Sequence, residues 1–220
     1  MRGTTSRRLY GLLLLFTAGY MVYVVYMNFI HDPQATAFLS QKTNLTRTLH
    51  LPVWLNVMYA HVVCACIAML SGAVNFSKRV LKRYPRLHRV NGYVYVAAVF
   101  LVCLTSGYMA PYSTGGKLNS VAFNMVNILW PGMTVVAILR IRRKQLDKHR
   151  KWMVRSYVFC FTNLFIHLIT FVFHAWTGLA YDISYTFGVY GAILVNLLLA
   201  ELVIRVLYRT PAPLPQAGQL

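Results

Sequence analysis

Six long apolar stretches separate the polar segments of this 220-residue chain. Each is 19 to 23 residues long, and about 20 mostly apolar residues are enough to cross a bilayer as an α-helix. Only 12% of the residues are charged, against about a quarter in soluble domains, so a water-exposed surface could not be covered. We therefore predict an all-α integral membrane protein, a helical bundle with six transmembrane helices. The predicted spans are Leu9–Ile30, Pro52–Val74, Gly92–Ala110, Asn119–Leu139, Trp152–His174 and Ser184–Val206.

The 22 Lys and Arg residues lie mostly on one side of this arrangement. The two chain ends and the second and fourth loops hold 18 of them, with Arg140 and Arg205 counted at the edges of their spans. The other three loops hold three. Because Lys and Arg accumulate in cytoplasmic loops, we predict that both termini are cytoplasmic. The net charge of +18 then reflects membrane orientation, and we predict contact with anionic lipid headgroups and no nucleic-acid partner.

Residues 1–209 form one predicted membrane domain, because the residues outside the spans are too few for a second domain. The first span has a basic start like that of a signal peptide, but its apolar run of 22 residues exceeds the usual 7–15. We interpret it as an uncleaved anchor; cleavage would leave five spans in the same orientation. Residues 210–220 are rich in Pro and small residues, which predicts a disordered tail.

Polar residues recur along one side of the fifth predicted span. At 100° per residue they fall within a sector of about 60° on a continuous helix. Since lipid cannot satisfy such a face, we expect it to point into the bundle. Hydrogen bonding between helices also explains the pattern. Taken alone, the pattern favours this explanation over a ligand site. The residues are His149, Ser156, Asn163, His167, Thr170 and His174.

The predicted depths arrange four histidines in two layers. His61 and His167 share a layer in the outer half of the membrane, and His88 and His149 share one at the cytoplasmic interface. Two neutral imidazoles on facing helices are the axial ligands of a b-type haem. The layers are about 27 Å apart along the fifth helix, which favours one haem over two. In the alternative interpretation the histidines stabilise packing, and the basic residues around the inner pair bind anionic lipid headgroups.

The acidic residues give no functional site. Glu201 precedes Arg205 by four residues, which predicts an ion pair along the last helix. No carboxylate lies in the middle of a predicted span, and this weakens a small-solute transporter hypothesis. No nucleotide-binding loop or nucleophile motif is present, so the sequence leaves open whether the protein is an enzyme.

Two sequence motifs resemble those of a bacterial membrane-protein family called domain of unknown function 2306. One motif comprises Pro85–Arg89 and Gly92–Val96, and the other is His149–Tyr157. Gly115-Gly116, Leu129-Trp130 and His61 also match. The resemblance implies a family-like core at about residues 52–174 with His61, His88, His149 and Arg155 at pattern positions. It also implies the inner (plasma) membrane as the location, and a distant similarity to haem-binding membrane cytochromes of the b561 kind.

The chain departs from the family pattern at one histidine. Family members usually carry Arg where this sequence has His167, so the resemblance implies that a haem between His61 and His167 would be peculiar to this protein. The pair at family positions is His88 and His149, with Arg155 about two turns further into the membrane.

Three functional hypotheses follow. In the first, the protein binds haem b and transfers electrons across the membrane, with a quinone or redox partner. His88 and His149 are its iron ligands, Arg155 balances propionate or substrate charge, and His61 and His167 are alternative ligands. In the second, the protein is a non-catalytic lipid-interacting or assembly protein. In the third and weakest, it transports a small solute.

Overall fold

The computed structural model describes residues 2–42, 45 and 47–208, with side chains from Arg7 onward. These residues contain no strand and are almost entirely helical, so the predicted all-α fold is confirmed. The predicted tail at 210–220 lies outside the described residues. The α-helices in the described part of the chain are α1 (Arg2–Tyr26), α2 (Thr36–Ser40), α3 (Leu51–Asn75), α4 (Lys78–Arg83), α5 (Pro85–Met109), α6 (Gly116–Arg142), α7 (Leu146–Val158), α8 (Thr162–Thr177) and α9 (Tyr181–Leu207).

Six of the resulting segments are long and apolar enough to cross a membrane. Each contains one of the predicted spans and extends past it, because the helices continue into the polar segments at the membrane surface. A π-helical turn, Met27–His31, prolongs α1, and α7 and α8 together form the fifth span. The prediction of six transmembrane helices is confirmed.

Local sequence explains where several helices begin. Pro52 and Pro85 lie in the first turns of α3 and α5. Amides in the first turn have no acceptor within the helix, so the missing N–H of proline costs no hydrogen bond there. The Ser77 side chain accepts a hydrogen bond from the Val80 amide and caps α4. Pro131 lies inside α6, which nevertheless continues to Arg142.

The helices pack mainly as the pairs α3–α5, α6–α7 and α8–α9. Their common core contains Tyr95 and Val99 of α5, Ala122 of α6 and Val189 of α9, all fully buried. Helix α1 lies at the periphery, and only a small part of it is buried. It is attached through the Phe16 ring, 5.6 Å from the Phe161 ring between centroids. The core that positions other side chains is therefore formed by α3 and α5–α9.

The fifth span is interrupted by a 3₁₀ turn at Phe159–Phe161. The Thr162 hydroxyl donates to the Phe159 carbonyl oxygen at 2.7 Å, a side-chain bond that competes with regular helical bonding. A 3₁₀ turn advances 120° per residue instead of 100°. Three such residues rotate every position of α8 by about 60° relative to a continuous helix.

Candidate functional site

The inner histidines lie at the starts of neighbouring helices. His88 is in the first turn of α5 and His149 in the first turn of α7, and both are half-buried. Both lie at the end of the bundle that carries the basic loops, which is the level at which the sequence pairs them.

Hydrogen bonding gives the two inner imidazoles different roles. Nδ1 of His149 lies 2.8 Å from the Ala137 carbonyl oxygen, which can only accept, so this nitrogen carries the proton. In the neutral ring Nε2 then keeps its lone pair, as in histidines that ligate metals. Nδ1 of His88 is buried and has no hydrogen-bond partner among the described residues.

The outer histidines have separate surroundings. Nδ1 of His61 lies 3.0 Å from the Thr105 hydroxyl. That hydroxyl also lies 2.8 Å from the Leu101 carbonyl oxygen, to which it donates, so His61 Nδ1 is the donor to it. His167 is exposed on α8, and no hydrogen bond or ring contact within the described part of the chain joins it to His61.

The polar residues of the fifth span do not form one inward face, so that prediction is wrong. Ser156 and Thr170 are buried, whereas Asn163, His167 and His174 are exposed on the bundle surface. The 3₁₀ turn is the reason, because the rotation of about 60° leaves Thr170 nearest in angle to Ser156 and moves the other three outward.

Arg155 forms an ion pair that sequence spacing does not indicate. Its Nε donates to Glu201 Oε1 at 2.6 Å, and its guanidinium lies 4.7 Å from the Trp152 ring centroid. The predicted ion pair of Glu201 with Arg205 is wrong, because the carboxylate turns across the helix interface toward α7. The expected cation at position 155 thus has a half-exposed carboxylate beside it.

Beside this ion pair lies a groove that we call the α6–α9 groove. Its volume is about 560 Å³. A Cβ atom placed at Gly132 in its wall meets no other atom within 4 Å, so the glycine leaves open space. Sequence analysis missed the groove, although a glycine directly after Pro131 in a long apolar helix is a signal for it. The lining residues are Ile128, Leu129, Gly132, Met133, Val136, Trp152, Arg155, Leu197 and Glu201.

The described residues contain no group of three or more His, Cys, Asp or Glu side chains that could hold a metal ion. The four cysteines are unpaired thiols at Cys64, Cys66, Cys103 and Cys160. A haem needs only two axial side chains. A haem site at the inner histidines would therefore not require a group of three such side chains.

The family motifs thus lie on a six-span bundle with His88 and His149 at the starts of two of its helices. Residues 58–204 match the family model described as a predicted membrane protein, DUF2306. The chain belongs to the DUF2306 family. The DUF2306 match runs from α3 to α9 and contains all four candidate histidines, Arg155 and the α6–α9 groove. No curated protein and no solved structure matches the chain.

Proposed function

We propose that this DUF2306 protein binds an anionic phospholipid, with one acyl chain in the α6–α9 groove and the headgroup at Arg155 and the basic residues beyond it. The observation that carries the proposal is a groove with apolar walls whose only charged lining side chains among the described residues are Arg155 and its partner Glu201. Binding sites for amphiphiles combine such walls with a few polar groups that fix orientation. We also propose the bacterial inner membrane as the location, with the basic loops cytoplasmic.

Arg155 keeps donors for a second anionic group. Its Nε–H points at Glu201, and a guanidinium has five N–H groups in all. The four on the terminal nitrogens match the oxygens of a phosphate. Only about a quarter of the Arg155 side chain is exposed, so a headgroup there meets a cation with little competing water.

Basic residues extend from the groove along the ends of α6 and α7. Lys and Arg near a membrane surface each attract anionic lipid by about 1 kcal/mol. Most of these side chains are exposed and free to reach headgroups of neighbouring lipids. They are Arg140, Arg142, Arg143, Lys144, Lys148, Arg150 and Lys151.

The groove is tested by filling it. Gly132→Leu adds a side chain at a groove position where a Cβ atom meets nothing within 4 Å, and the control Gly19→Leu adds one on exposed α1, where a Cβ atom also meets nothing within 4 Å. We expect native mass spectrometry of protein from phosphatidylglycerol nanodiscs to show less retained lipid for Gly132→Leu alone. Equal retention by Gly132→Leu, Gly19→Leu and the unmodified chain would contradict the proposal.

The headgroup contact has its own test. Arg155→Gln combined with Glu201→Gln preserves a hydrogen-bonding pair and removes both charges, so neither charge is left unpaired. We expect this double variant to lose the preference for phosphatidylglycerol over phosphatidylcholine while keeping its fold. A preserved preference would place the headgroup elsewhere.

A second candidate function is electron transfer by haem b held between His88 and His149, with a quinone as redox partner. Two observations favour it: Nδ1 of His149 is held by a carbonyl, leaving Nε2 to bind iron, and the buried His88 nitrogen lacks a protein partner. Haem b would supply one-electron chemistry at this site. The residues present fit its donor set.

The absorption spectrum of protein purified after expression with added haem tests this candidate. We expect a Soret band that His88→Ala and His149→Ala each abolish and that His174→Ala, at an exposed outer position, preserves. A spectrum without a Soret band in the unmodified chain would exclude the haem function and leave the lipid proposal unaffected.

A further inference from the structure

A polar cavity of about 200 Å³ lies at the end of the bundle opposite the basic loops. Three separate segments line it. Gln41, Lys42 and Leu45 come from the chain after α2, Ser113–Gly116 from the loop before α6 and the first residue of that helix, and Asp182 from the first turn of α9. The cavity is thus assembled by the fold, and we call it the outer cavity.

The start of α6 provides positive potential at the outer cavity. The helix begins at Gly116, and no side chain caps it. Gly115 and Gly116 have φ angles of +80° and +67°, which glycine adopts without strain. The first amide groups of a helix carry unpaired N–H donors and partial positive charge, and they bind anions. The Asn119 side chain fills the space beside Gly115, whereas a Cβ atom at Gly116 would meet nothing within 4 Å, so a ligand can approach the start of α6 closely at Gly116.

Thr114 supplies an independent sign of a missing ligand. It lines the outer cavity and is only 4% exposed. Its Oγ1 has no hydrogen-bond partner within the described part of the chain. A buried hydroxyl without a partner is unfavourable, and a ligand oxygen or nitrogen in the cavity would satisfy it.

Lys42 places a cation beside these donors. Its ammonium donates to the Tyr112 carbonyl oxygen and lies 4.5 Å from the Phe38 ring centroid and 5.3 Å from that of Trp54. No carboxylate of the described residues forms an ion pair with it. Burial lowers the pKa of Lys42 to about 8, so the ammonium is mainly protonated at neutral pH.

Asp182 contributes the opposite charge to the same cavity. One of its oxygens, Oδ1, accepts a hydrogen bond from the Ile183 amide at 2.9 Å. Its other oxygen has no partner among the described residues, and no ion pair joins Asp182 to Lys42. A lysine and an aspartate that form no ion pair within the described part of the chain therefore line one small cavity from different walls.

From this arrangement we propose that the outer cavity binds a small zwitterion. Lys42, Thr114 and the α6 amides hold its anionic group, and Asp182 accepts from its ammonium. A simple dianion is disfavoured because Asp182 would repel it, and a simple amine is disfavoured by Lys42. Both a phosphoethanolamine lipid headgroup and a free amino acid have this chemistry.

The test is calorimetric titration of the purified full chain. The probes are glycerophosphoethanolamine, whose phosphodiester carries a single negative charge as in the lipid headgroup, and glycine for the free amino acid, with acetate and ethanolamine as singly charged controls. We expect at least one zwitterion to bind ten-fold or more tightly than either control, and the one that binds identifies the source. Failure of both zwitterions to bind, or equal binding of acetate, would overturn the proposal.

Variants locate the binding. Lys42→Met keeps an apolar stem against the Phe38 and Trp54 rings, Asp182→Asn keeps an acceptor for the Ile183 amide, and Thr114→Val removes the unpaired hydroxyl at nearly constant shape. Each variant should bind the zwitterion with an affinity ten-fold or more lower. Thr114→Val should also raise the melting temperature of the protein without ligand. Unchanged affinity in Lys42→Met and Asp182→Asn, with their helical content preserved, would also overturn the proposal.

Discussion

At the scale of residues, Ser156 connects three helices through hydroxyl groups. Its Oγ lies 2.7 Å from Tyr95 Oη on α5 and 2.7 Å from Thr134 Oγ1 on α6. Thr134 also donates to the Trp130 carbonyl oxygen at 2.9 Å. Because a hydroxyl has one hydrogen, Thr134 must accept from Ser156, and Ser156 must accept from Tyr95. One backbone carbonyl therefore sets the direction of the whole chain of hydrogen bonds.

Ser156→Ala breaks this chain in the buried core. Tyr95 loses its acceptor and Thr134 its donor, and each unsatisfied buried group costs about 1–3 kcal/mol. We expect a clear fall in the melting temperature of the detergent-purified protein. Ser40→Ala, at an exposed position, should change stability by less than about 0.5 kcal/mol. Equal melting temperatures for both variants would contradict this role.

Lys42 gives the outer cavity a defined pH dependence. Its pKa of about 8 means that raising the pH from 7 to 9 removes most of its positive charge. The other charged side chain facing the cavity is Asp182. Affinity for the zwitterion should fall roughly ten-fold over this range, measured by titration. Lys42→Met should show little of this fall, and a flat profile in the unmodified chain would exclude Lys42 as the anion contact.

At the scale of elements, glycines allow the closest helix contacts. A Cβ atom at Gly188 of α9 would lie 2.7 Å from the Ile166 carbonyl oxygen of α8, with Thr170 Oγ1 nearer still. Gly72 of α3 likewise accommodates the edge of the Tyr157 ring. Small residues at helix interfaces allow such approach in membranes. The α8–α9 pair therefore depends on the absence of one side chain.

Gly188→Ala should separate α8 from α9 and destabilise the bundle. A backbone carbonyl cannot move aside as a flexible side chain can, and overpacking typically costs about 1–3 kcal/mol. Gly19→Ala on α1 has open space, so it should be neutral or stabilising through helix propensity by up to about 1 kcal/mol. Thermal melting checks both expectations: the melting temperature should fall in Gly188→Ala and stay the same or rise in Gly19→Ala.

Apolar length predicted each long helix, but the angular periodicity of polar residues failed inside the fifth span. A single polar face requires residues 149–174 to form one regular helix, and the 3₁₀ turn at Phe159–Phe161 interrupts that helix. Thr162, with a side chain that bonds back to the Phe159 carbonyl, is the only local sign of it. A three-residue change of pitch alters which side of α8 is buried without altering its hydrophobicity.

At the scale of the whole molecule, the two candidate binding regions lie at opposite ends of the bundle. The inner histidines and Arg155 are near the basic loops, and the outer cavity is at the other end. Both termini are predicted to be cytoplasmic, which would place the outer cavity on the non-cytoplasmic side. The zwitterion proposal and the lipid proposal therefore concern different leaflets and can fail independently.

The orientation is tested by labelling single cysteines. In a chain whose four native cysteines are replaced, Ala180→Cys at an exposed position between α8 and α9 should react with a membrane-impermeant maleimide on intact cells. Lys144→Cys between α6 and α7 should react only after permeabilisation. The reverse pattern would place the basic loops outside and contradict the positive-inside assignment.

The sequence by itself determined the number of spans and their positions, because crossing a bilayer requires length and hydrophobicity, which are local properties. It also predicted one level for His88 and His149, since each lies just before a predicted span on the cytoplasmic side. Only the tertiary structure decided that Glu201 contacts Arg155, that Ser156 bonds to Tyr95 and Thr134, and that the outer cavity joins three distant segments. These contacts depend on how each helix is rotated and how closely it packs. Residues that face lipid and residues that face the core have similar hydrophobicity, so the sequence does not reveal either quantity.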